Sequence, residues 1–376
     1  MIKFLHCADL HLDSPLAALP LDKAEVRRNE FRAAFTSMTL YARMNKIDLL
    51  FIAGDLFDSA YSSKDTAALI KREFENLPDC HIFISPGNHD PYNSTGFYKS
   101  ETFSDNVHVF TTEEMQAFDL PELNVTVYGW AFTSERMEKC PLDGFSVERP
   151  DRLNFLVAHG DLANPDSPYC PISKEALANS GLDYAALGHI HARTEELVFG
   201  RTKAAYSGCL ESRGFDETGA KGAIIGAAQK QDGSTALSTK FIRFSKRVYE
   251  IMKADMTGVT STAEAAERVG AMINERHFGE DTALRLILTG NIPSSLTISA
   301  GFLRSRFDRL FLLEVDDGTL PEADAAALKR DMTIKGAYFS ALEKSLESPD
   351  KEAREIAAMA LRYGLAALSG GDVTDF

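Results

Sequence analysis

This chain is short of positive charge, of cysteine and of tryptophan, and it has no long apolar run. Of its 376 residues 55 are acidic and 40 basic, giving a net charge of −15 at pH 7. That balance offers no general attraction to nucleic acid or to anionic membranes. The cysteines (Cys7, Cys80, Cys140, Cys170 and Cys209) are odd in number and scattered, and no two form a CxxC pair. A disulfide framework is therefore not expected; reduced, mostly buried thiols are. No stretch is apolar for long enough to span a bilayer. The opening MIKFLHCADLHL turns polar too soon for a signal peptide. A cytoplasmic protein is the expectation. With 44% hydrophobic residues the chain can build a full globular core, and its length fits two or three domains.

What is present is an alternation. Strand-like apolar runs occur at IKFLHCA (2–8), DLLFIAG (48–54), HIFISPG (81–87), VTVYGWAF (125–132), LNFLVAHG (153–160) and YAALGHIH (184–191). KAAYSGC (203–209) and KGAIIGAA (221–228) follow. Several carry Val, Ile, Leu or Phe on both parities, which predicts strands covered on both faces. Helical patterns lie between them, as at 23–46 and 63–77, so the fold class is α/β. QKQDGS reads as a hairpin turn, and STKFIRFSKRVYEI as one long strand leading out of the first domain. A helix at 262–277 and strands at 283–290 and 310–315 make a small α+β unit, and residues 322–368 read as helical. Three domains are expected: 1–245, 246–320 and 321–376.

The ends of five apolar runs share one layout, in which side chains of metal-ligand type follow the strand. CADLH places Asp9 and His11 two apart, and GDLFD supplies Asp55 and Asp58. PGNHD supplies Asn88, His89 and Asp90, AHGD supplies His159, and GHIH supplies His189 and His191. In an extended segment residues i and i+2 point the same way, so each DxH-like pair can reach one point. Sites in open α/β sheets are built at the carboxyl ends of the strands. A donor set of His, Asp and Asn without thiolate suits Mn²⁺, Fe²⁺, Zn²⁺ or Mg²⁺, and the donors are too many for one open ion. Two ions less the ionised carboxylates of Asp9 and Asp55 leave two positive charges, matched by a hydroxide and a phosphodiester monoanion.

DxH, GDxxD, GNHD, a strand-end His-Gly and GHxH, in that order, resemble the calcineurin-like metallophosphoesterases. The resemblance implies a four-layer αββα double β-sandwich and a two-metal centre, with Mn²⁺ the leading candidate. Asp9, His11, Asp55 and His191 would hold the first ion; Asp55, Asn88, His159 and His189 would hold the second. His89 resembles the histidine that assists the leaving oxygen, Asp90 would orient it, and Asp58 would support the ligands. The stretch YSGCLESRGFDETGAKG (206–222) is similar to SbcD-type DNA-repair exonucleases. The opening FLHCADLHLDSP, the small domain and the helical tail fit their YhaO-type branch. That narrower resemblance implies a DNA substrate, an SbcC-like coiled-coil ATPase partner and a homodimer through the nuclease domain.

Taken one at a time, the motifs have plainer readings: a helix cap at Asp9, turns at GDLFD and GNHD, part-buried histidines at GHIH. Asp58 and Asp90 fit a structural role as well as a chemical one. His6, His81, His108 and His277 read as strand or surface positions, and Cys7 and Trp130 as core. Arg201, Lys203, Arg213 and Lys221 flank the site, either to meet phosphates or as a solvated rim. Three functions stay open: a DNA nuclease, a small-molecule phosphodiesterase or phosphomonoesterase, and an architectural subunit of an ATPase complex. The charge of −15 counts against the first, the motif after GHIH and the extra domain count for it, and the full ligand set counts against the third. Within the tail, Ile356, Met359, Ala360, Tyr363 and Leu365 are expected near one apolar face, to pack internally or on the ATPase.

Overall fold

In the computed structural model, which describes residues 1–59, 62–93, 96–231, 233–293, 296–322 and 325–368, the first apolar run is strand β1 (Ile2–Cys7). Its residues Ile2 and Phe4 face one core, and Leu5 and Cys7 face another. The parity repeats in β2 (Leu49–Ile52) and β3 (His81–Ile84): Leu49, Phe51 and Phe83 face the first core, while Leu50, Ile52, Ile82 and Ile84 face the second. Both faces are buried, which is why these runs read as unbroken apolar sequence. Helices α1 (Leu21–Met44) and α2 (Lys64–Glu75) close the second core with Phe31, Phe35, Met38, Ile70 and Phe74. Ser63 caps α2, its hydroxyl oxygen accepting from the Thr66 N–H at 3.2 Å.

The chain then runs through α3 (Phe97–Ser100), β4 (Val107–Val109), β5 (Gln116–Leu120), β6 (Val125–Gly129), β7 (Leu153–His159), α4 (Lys174–Asn179) and β8 (Tyr184–Gly188). β9 (Leu197–Phe199), β10 (Thr202–Tyr206), β11 (Gly222–Gln231) and β12 (Ser234–Arg243) follow. They form two six-stranded sheets, in the orders β12-β11-β1-β2-β3-β4 and β5-β6-β7-β8-β10-β9. Strands β1 to β4 run parallel to one another, as do β6, β7, β8 and β10. The first core is shared: Val127, Phe155, Val157, Tyr184 and Ala186 of the second sheet meet the first sheet there. The Phe155 ring lies 5.5 Å from Phe4 and 5.3 Å from Phe51. On its other face the second sheet packs Leu156, Ala158, Ala185 and Leu187 against Trp130, Phe132, Leu142 and Leu177 of α4. All five cysteines are buried free thiols.

Backbone contact joins the two sheets where the parallel strands end. A Cβ added at Gly188 would lie 1.8 Å from Ala53 O and 2.8 Å from Ala8 Cβ. Gly188→Ala must force these strand ends apart, an overpacking cost of about 1–3 kcal/mol. The expected result is a melting temperature lower by roughly 2–4 °C per kcal/mol, read by differential scanning calorimetry. An unchanged melting temperature would show that the strand ends can separate freely.

The long strand expected from STKFIRFSKRVYEI is broken at residues 244–247. There the Phe244 and Ser245 N–H groups both donate to Lys221 O at 3.1 Å, and the Lys246 N–H donates to the Glu211 carboxylate. The segment leaves the sheet because those contacts replace ladder bonds. The chain divides into two units, Met1–Val248 and Tyr249–Phe376.

β13 (Val248–Asp255) starts at the boundary, and the second unit goes on with α5 (Thr262–Glu275), β14 (Thr282–Thr289), the two-residue β15 (Asn291–Ile292), α6 (Ala300–Arg306), β16 (Leu312–Asp317) and the two-residue β17 (Leu320–Pro321). Helices α7 (Ala325–Leu328), α8 (Ile334–Leu346) and α9 (Lys351–Leu368) follow. Its three-stranded sheet, β13-β14-β16, packs Met252, Leu284 and Leu286 against Val269, Ile273 and Leu303. The expected apolar face of the tail is corrected by the structure. Among the described residues of α9, Ala357, Leu361 and Leu365 are buried, four residues apart; Leu365 lies on the expected face, and it clusters with Leu361 and with Phe339 of α8. Ile356 and Met359 are exposed. No described helix is long and apolar enough to cross a membrane.

Candidate metal centre

Because β1, β2 and β3 are parallel in one sheet and β7 and β8 in the other, the loops after them meet at one edge. The chain turns sharply there: Asp9, His11, Asp55 and His189 all have positive φ, at 51°, 43°, 49° and 103°. Such backbone is costly for residues with a Cβ and concentrates at functional sites. The loops are lashed together, Asp9 N donating to Gly54 O at 3.0 Å and His11 N to Asp55 O at 2.9 Å. Trp130, a core residue as expected, donates its indole N–H to His159 O at 3.2 Å. A Cβ at Gly54 would lie 2.2 Å from His159 Nδ1, so only glycine lets that imidazole approach.

These turns bring the ligand atoms of Asp9, His11, Asp55 and His191 within 4.8 Å of one another. His11 Nε2 and His191 Nε2 face each other at 3.2 Å. Carboxylates stand behind their other nitrogens: His11 Nδ1 lies 3.0 Å from Asp58 Oδ1, though outside hydrogen-bond geometry, and His191 Nδ1 is hydrogen-bonded to Glu217 Oε1 at 2.7 Å. The two Nε2 atoms therefore face one spot, with a spacing that suits two nitrogens each about 2.0–2.1 Å from one ion. Asp9 Oδ2 is buried without a hydrogen-bond partner, and burial pushes the Asp9 carboxyl above its ordinary range. Burial holds the His11, His159 and His189 imidazoles below theirs, His189 at about 4, which keeps them neutral and able to ligate. The residues fit a divalent cation.

The second expected set is assembled in part. Asn88 Oδ1 lies 2.9 Å and Asp55 Oδ2 3.4 Å from His159 Nε2. His189 joins them by ring contact, 5.2 Å from His159 and 5.0 Å from Tyr169. His89 is exposed at the mouth, its backbone N–H bonded to Asp55 Oδ1 at 3.0 Å. Its Nδ1 lies 3.4 Å from Asp58 O, which leaves Nε2 the free nitrogen. Asp90 does not reach the His89 ring. Its buried carboxylate accepts from the Leu56, Phe57 and Gly87 N–H groups and from the Tyr98 hydroxyl, at 2.6–3.1 Å, which ties the GDLFD loop to the GNHD loop. Asp58 Oδ1 lies 3.0 Å from His11 Nδ1 and 2.9 Å from Arg213 Nη1.

A family model for calcineurin-like phosphoesterases matches residues 2–193. The chain belongs to that family. Its members are phosphoester hydrolases with a dinuclear metal site, and the match spans every strand end described above. The chain is 30% identical over 335 residues to the "uncharacterized metallophosphoesterase YhaO" of Bacillus subtilis, covering 85% of this chain and 76% of that one. It is 24% identical to the SbcD subunit of nuclease SbcCD from Staphylococcus epidermidis, over 57% of this chain and 63% of that protein. It is 24% identical to DNA double-strand break repair protein Mre11 of Methanopyrus kandleri, over 58% of this chain and 52% of that protein. The matches to these last two span less than two thirds of each.

Within this phosphoesterase site the strand-end pattern passes over Glu217, which lies in the motif after GHIH but carries no strand-end signature. Burial alone would raise its carboxyl; the His191 hydrogen bond and the Arg213 charge hold it down at about 2. The four flanking cations divide. Arg201 pairs with Asp183 at 2.8 Å and Lys203 with Glu196 at 2.8 Å, so both are spent on structural ion pairs. Lys221 is buried and donates to His191 O at 3.1 Å, and Arg213 joins the site's carboxylates. Of the plainer histidines, His6 is a buried strand residue bonded to the Tyr184 hydroxyl and Leu187 O, each at 3.1 Å. His81 and His108 stack on one another, and His277 is exposed.

Proposed function

We propose that this phosphoesterase is a Mn²⁺-dependent phosphodiesterase that cleaves DNA, as a nuclease subunit beside a coiled-coil ATPase. The observation that carries the hydrolase chemistry is the cluster of Asp9, His11, Asp55 and His191 beside an exposed His89. Support for DNA comes from the named activities of the SbcCD and Mre11 relatives. In this reading Asp9, His11, Asp55 and His191 hold one ion, and Asp55, Asn88, His159 and His189 hold the other. Bound divalent ions supply charge stabilisation to the phosphoryl oxygens and hydroxide at neutral pH. Asp55 fixes the His89 backbone, and His89 Nε2 gives its proton to the departing oxygen. Ile356 and Met359, exposed on α9, are the apolar positions for the ATPase to cover.

A groove of about 740 Å³ opens beside Asn88 and His89, lined by Thr133, Ser134, Arg136 and Tyr169 among others. That volume fits a nucleotide-sized group. Arg136 on its wall is placed for a neighbouring phosphate. Arg136→Glu is expected to lower kcat/KM on a short oligonucleotide roughly tenfold, about 1.4 kcal/mol, with little change on bis-p-nitrophenyl phosphate. Equal losses on both substrates would remove Arg136 from substrate contact.

The decisive assay gives the purified protein Mn²⁺ with end-labelled single- and double-stranded DNA beside bis-p-nitrophenyl phosphate. DNA cleavage that is lost in Asp55→Ala and on chelation supports the nuclease reading. Cleavage of the small diester alone, with and without added ATPase partner, would favour a small-molecule phosphodiesterase, the reading that the net charge of −15 favours.

A further inference from the structure

We propose that Arg213 is a positioning residue that clamps the carboxylates behind His11 and His191, and so sets the affinity of the ion those two imidazoles share. The inference rests on the metal-centre reading above. Asp58 Oδ1 lies 3.0 Å from His11 Nδ1, and Glu217 Oε1 lies 2.7 Å from His191 Nδ1. One guanidinium touches both carboxylates: Arg213 Nη1 meets Asp58 Oδ1 at 2.9 Å, and Arg213 Nε meets Glu217 Oε1 at 3.0 Å. The contacts form a closed ring, running from His11 through Asp58, Arg213 and Glu217 to His191, whose Nε2 faces His11 Nε2 at 3.2 Å. Moving any member changes the separation of the two Nε2 atoms.

The ring has a fixed root. Arg213 N donates to Glu217 Oε2 at 2.6 Å, and Ser212 Oγ to Glu217 O at 2.7 Å, so the 212–217 turn closes on itself. One residue earlier, Glu211 is buried and pairs with the fully buried Arg27 of α1 at 2.6 Å. Arg27 also donates to Ser212 O at 2.9 Å. The turn is thus anchored to α1, and Arg213 projects from a rigid base. A planar fork suits this post better than an ammonium, because it presents donors in fixed directions to two acceptors at once. Carboxylates behind ligating histidines fix the tautomer and the ring orientation, and losing such support typically costs about 10–100-fold in metal affinity. Here Arg213 supports two such carboxylates at once, and it also offsets their charge.

The test is Mn²⁺ binding to the full chain, followed by electron paramagnetic resonance of the free ion, for wild type, Arg213→Ala, Arg213→Lys and Glu217→Gln. Wild type is expected to bind two Mn²⁺. Arg213→Ala and Glu217→Gln are each expected to weaken one of the two by about 10–100-fold and to spare the other. Arg213→Lys is expected to resemble Arg213→Ala, since a single ammonium cannot span both carboxylates. Wild-type Mn²⁺ affinity in Arg213→Lys would overturn the role of the fork, and it decides the matter even if Arg213→Ala does not fold. Unchanged Mn²⁺ affinity with a raised KM in Arg213→Ala would overturn the proposal in favour of a phosphate contact. A wild-type chain that binds no Mn²⁺ or Zn²⁺ would instead sink the metal-centre reading itself.

Discussion

Asp55→Ala is expected to abolish phosphodiester hydrolysis, with a loss on the order of 10³-fold or more in kcat, and to lower the stoichiometry of bound Mn²⁺. In the proposed reading Asp55 is the residue that both ligand sets share. Its Oδ2 lies 3.7 Å from His11 Nε2 and 3.4 Å from His159 Nε2, while its Oδ1 accepts the His89 N–H. Removing the carboxylate takes away the anion between the two sets and the anchor of the His89 backbone together. Stabilisation by bound ions is worth several kcal/mol at the transition state, and each ~1.36 kcal/mol is tenfold in rate. Asp55→Asn keeps the shape and removes the charge, so it is expected to fail nearly as badly. Turnover of bis-p-nitrophenyl phosphate together with Mn²⁺ titration checks both. A variant that retains both ions and most of the wild-type turnover would remove Asp55 from the bridging position.

His89→Ala is expected to behave differently, losing turnover while keeping metal. A positioned acid is typically worth about 10²–10⁴-fold, and His89 is the exposed imidazole at the mouth of the site. The size of the loss should follow the leaving group. A sugar alkoxide needs a proton as it departs, whereas p-nitrophenolate is a stable anion that leaves without one. The loss is therefore expected to be at the upper end of that range on DNA and much smaller on bis-p-nitrophenyl phosphate. Mn²⁺ binding should stay at the wild-type level in the proposed reading, where His89 delivers a proton and is not a ligand, although its ring lies 5.0 Å from that of His11 and its ligand atom within 4.8 Å of those of His11 and Asp58. Equal losses on both substrates would argue for a binding role instead. Together the two variants separate holding the ions from delivering the proton.

The doubly buried strands and the polar residues that meet at their ends were legible in the sequence. Apolar residues on both parities of β1, β2, β7 and β8 could only be strands buried on both faces, and the stacked sheets bear this out through Phe4, Phe51 and Phe155. The i, i+2 pairs and the Gly-Asp and Gly-Asn turns marked strand ends because ligating side chains there have few structural uses. The short strands β4, β5 and β9 were not legible, because three to five residues carry too little periodicity to stand out. The break at residues 244–247 was equally hidden, since Lys221 and Glu211, which hold it, lie 20 or more positions earlier. The apolar face of α9 was placed correctly at Leu365 but wrongly at Ile356 and Met359, because several faces of an alanine-rich helix look alike until a partner such as Phe339 chooses one.

Tertiary structure alone decided which polar groups serve the site and which serve the fold. Asp90 and Asp58 belong to neighbouring loops and look equivalent in sequence, yet Asp90 ties backbone N–H groups together while Asp58 stands behind His11. Arg201, Lys203, Arg213 and Lys221 lie within 21 positions of one another. Only the path of β10, β11 and the turn after Cys209 sends Arg201 and Lys203 to structural partners and brings Arg213 to the carboxylates of Asp58 and Glu217. A ligand's identity is local, because it depends on residue type at a strand end. Its support is not: Arg213 and Asp58 are 155 residues apart, and such pairs exist only once the chain has folded.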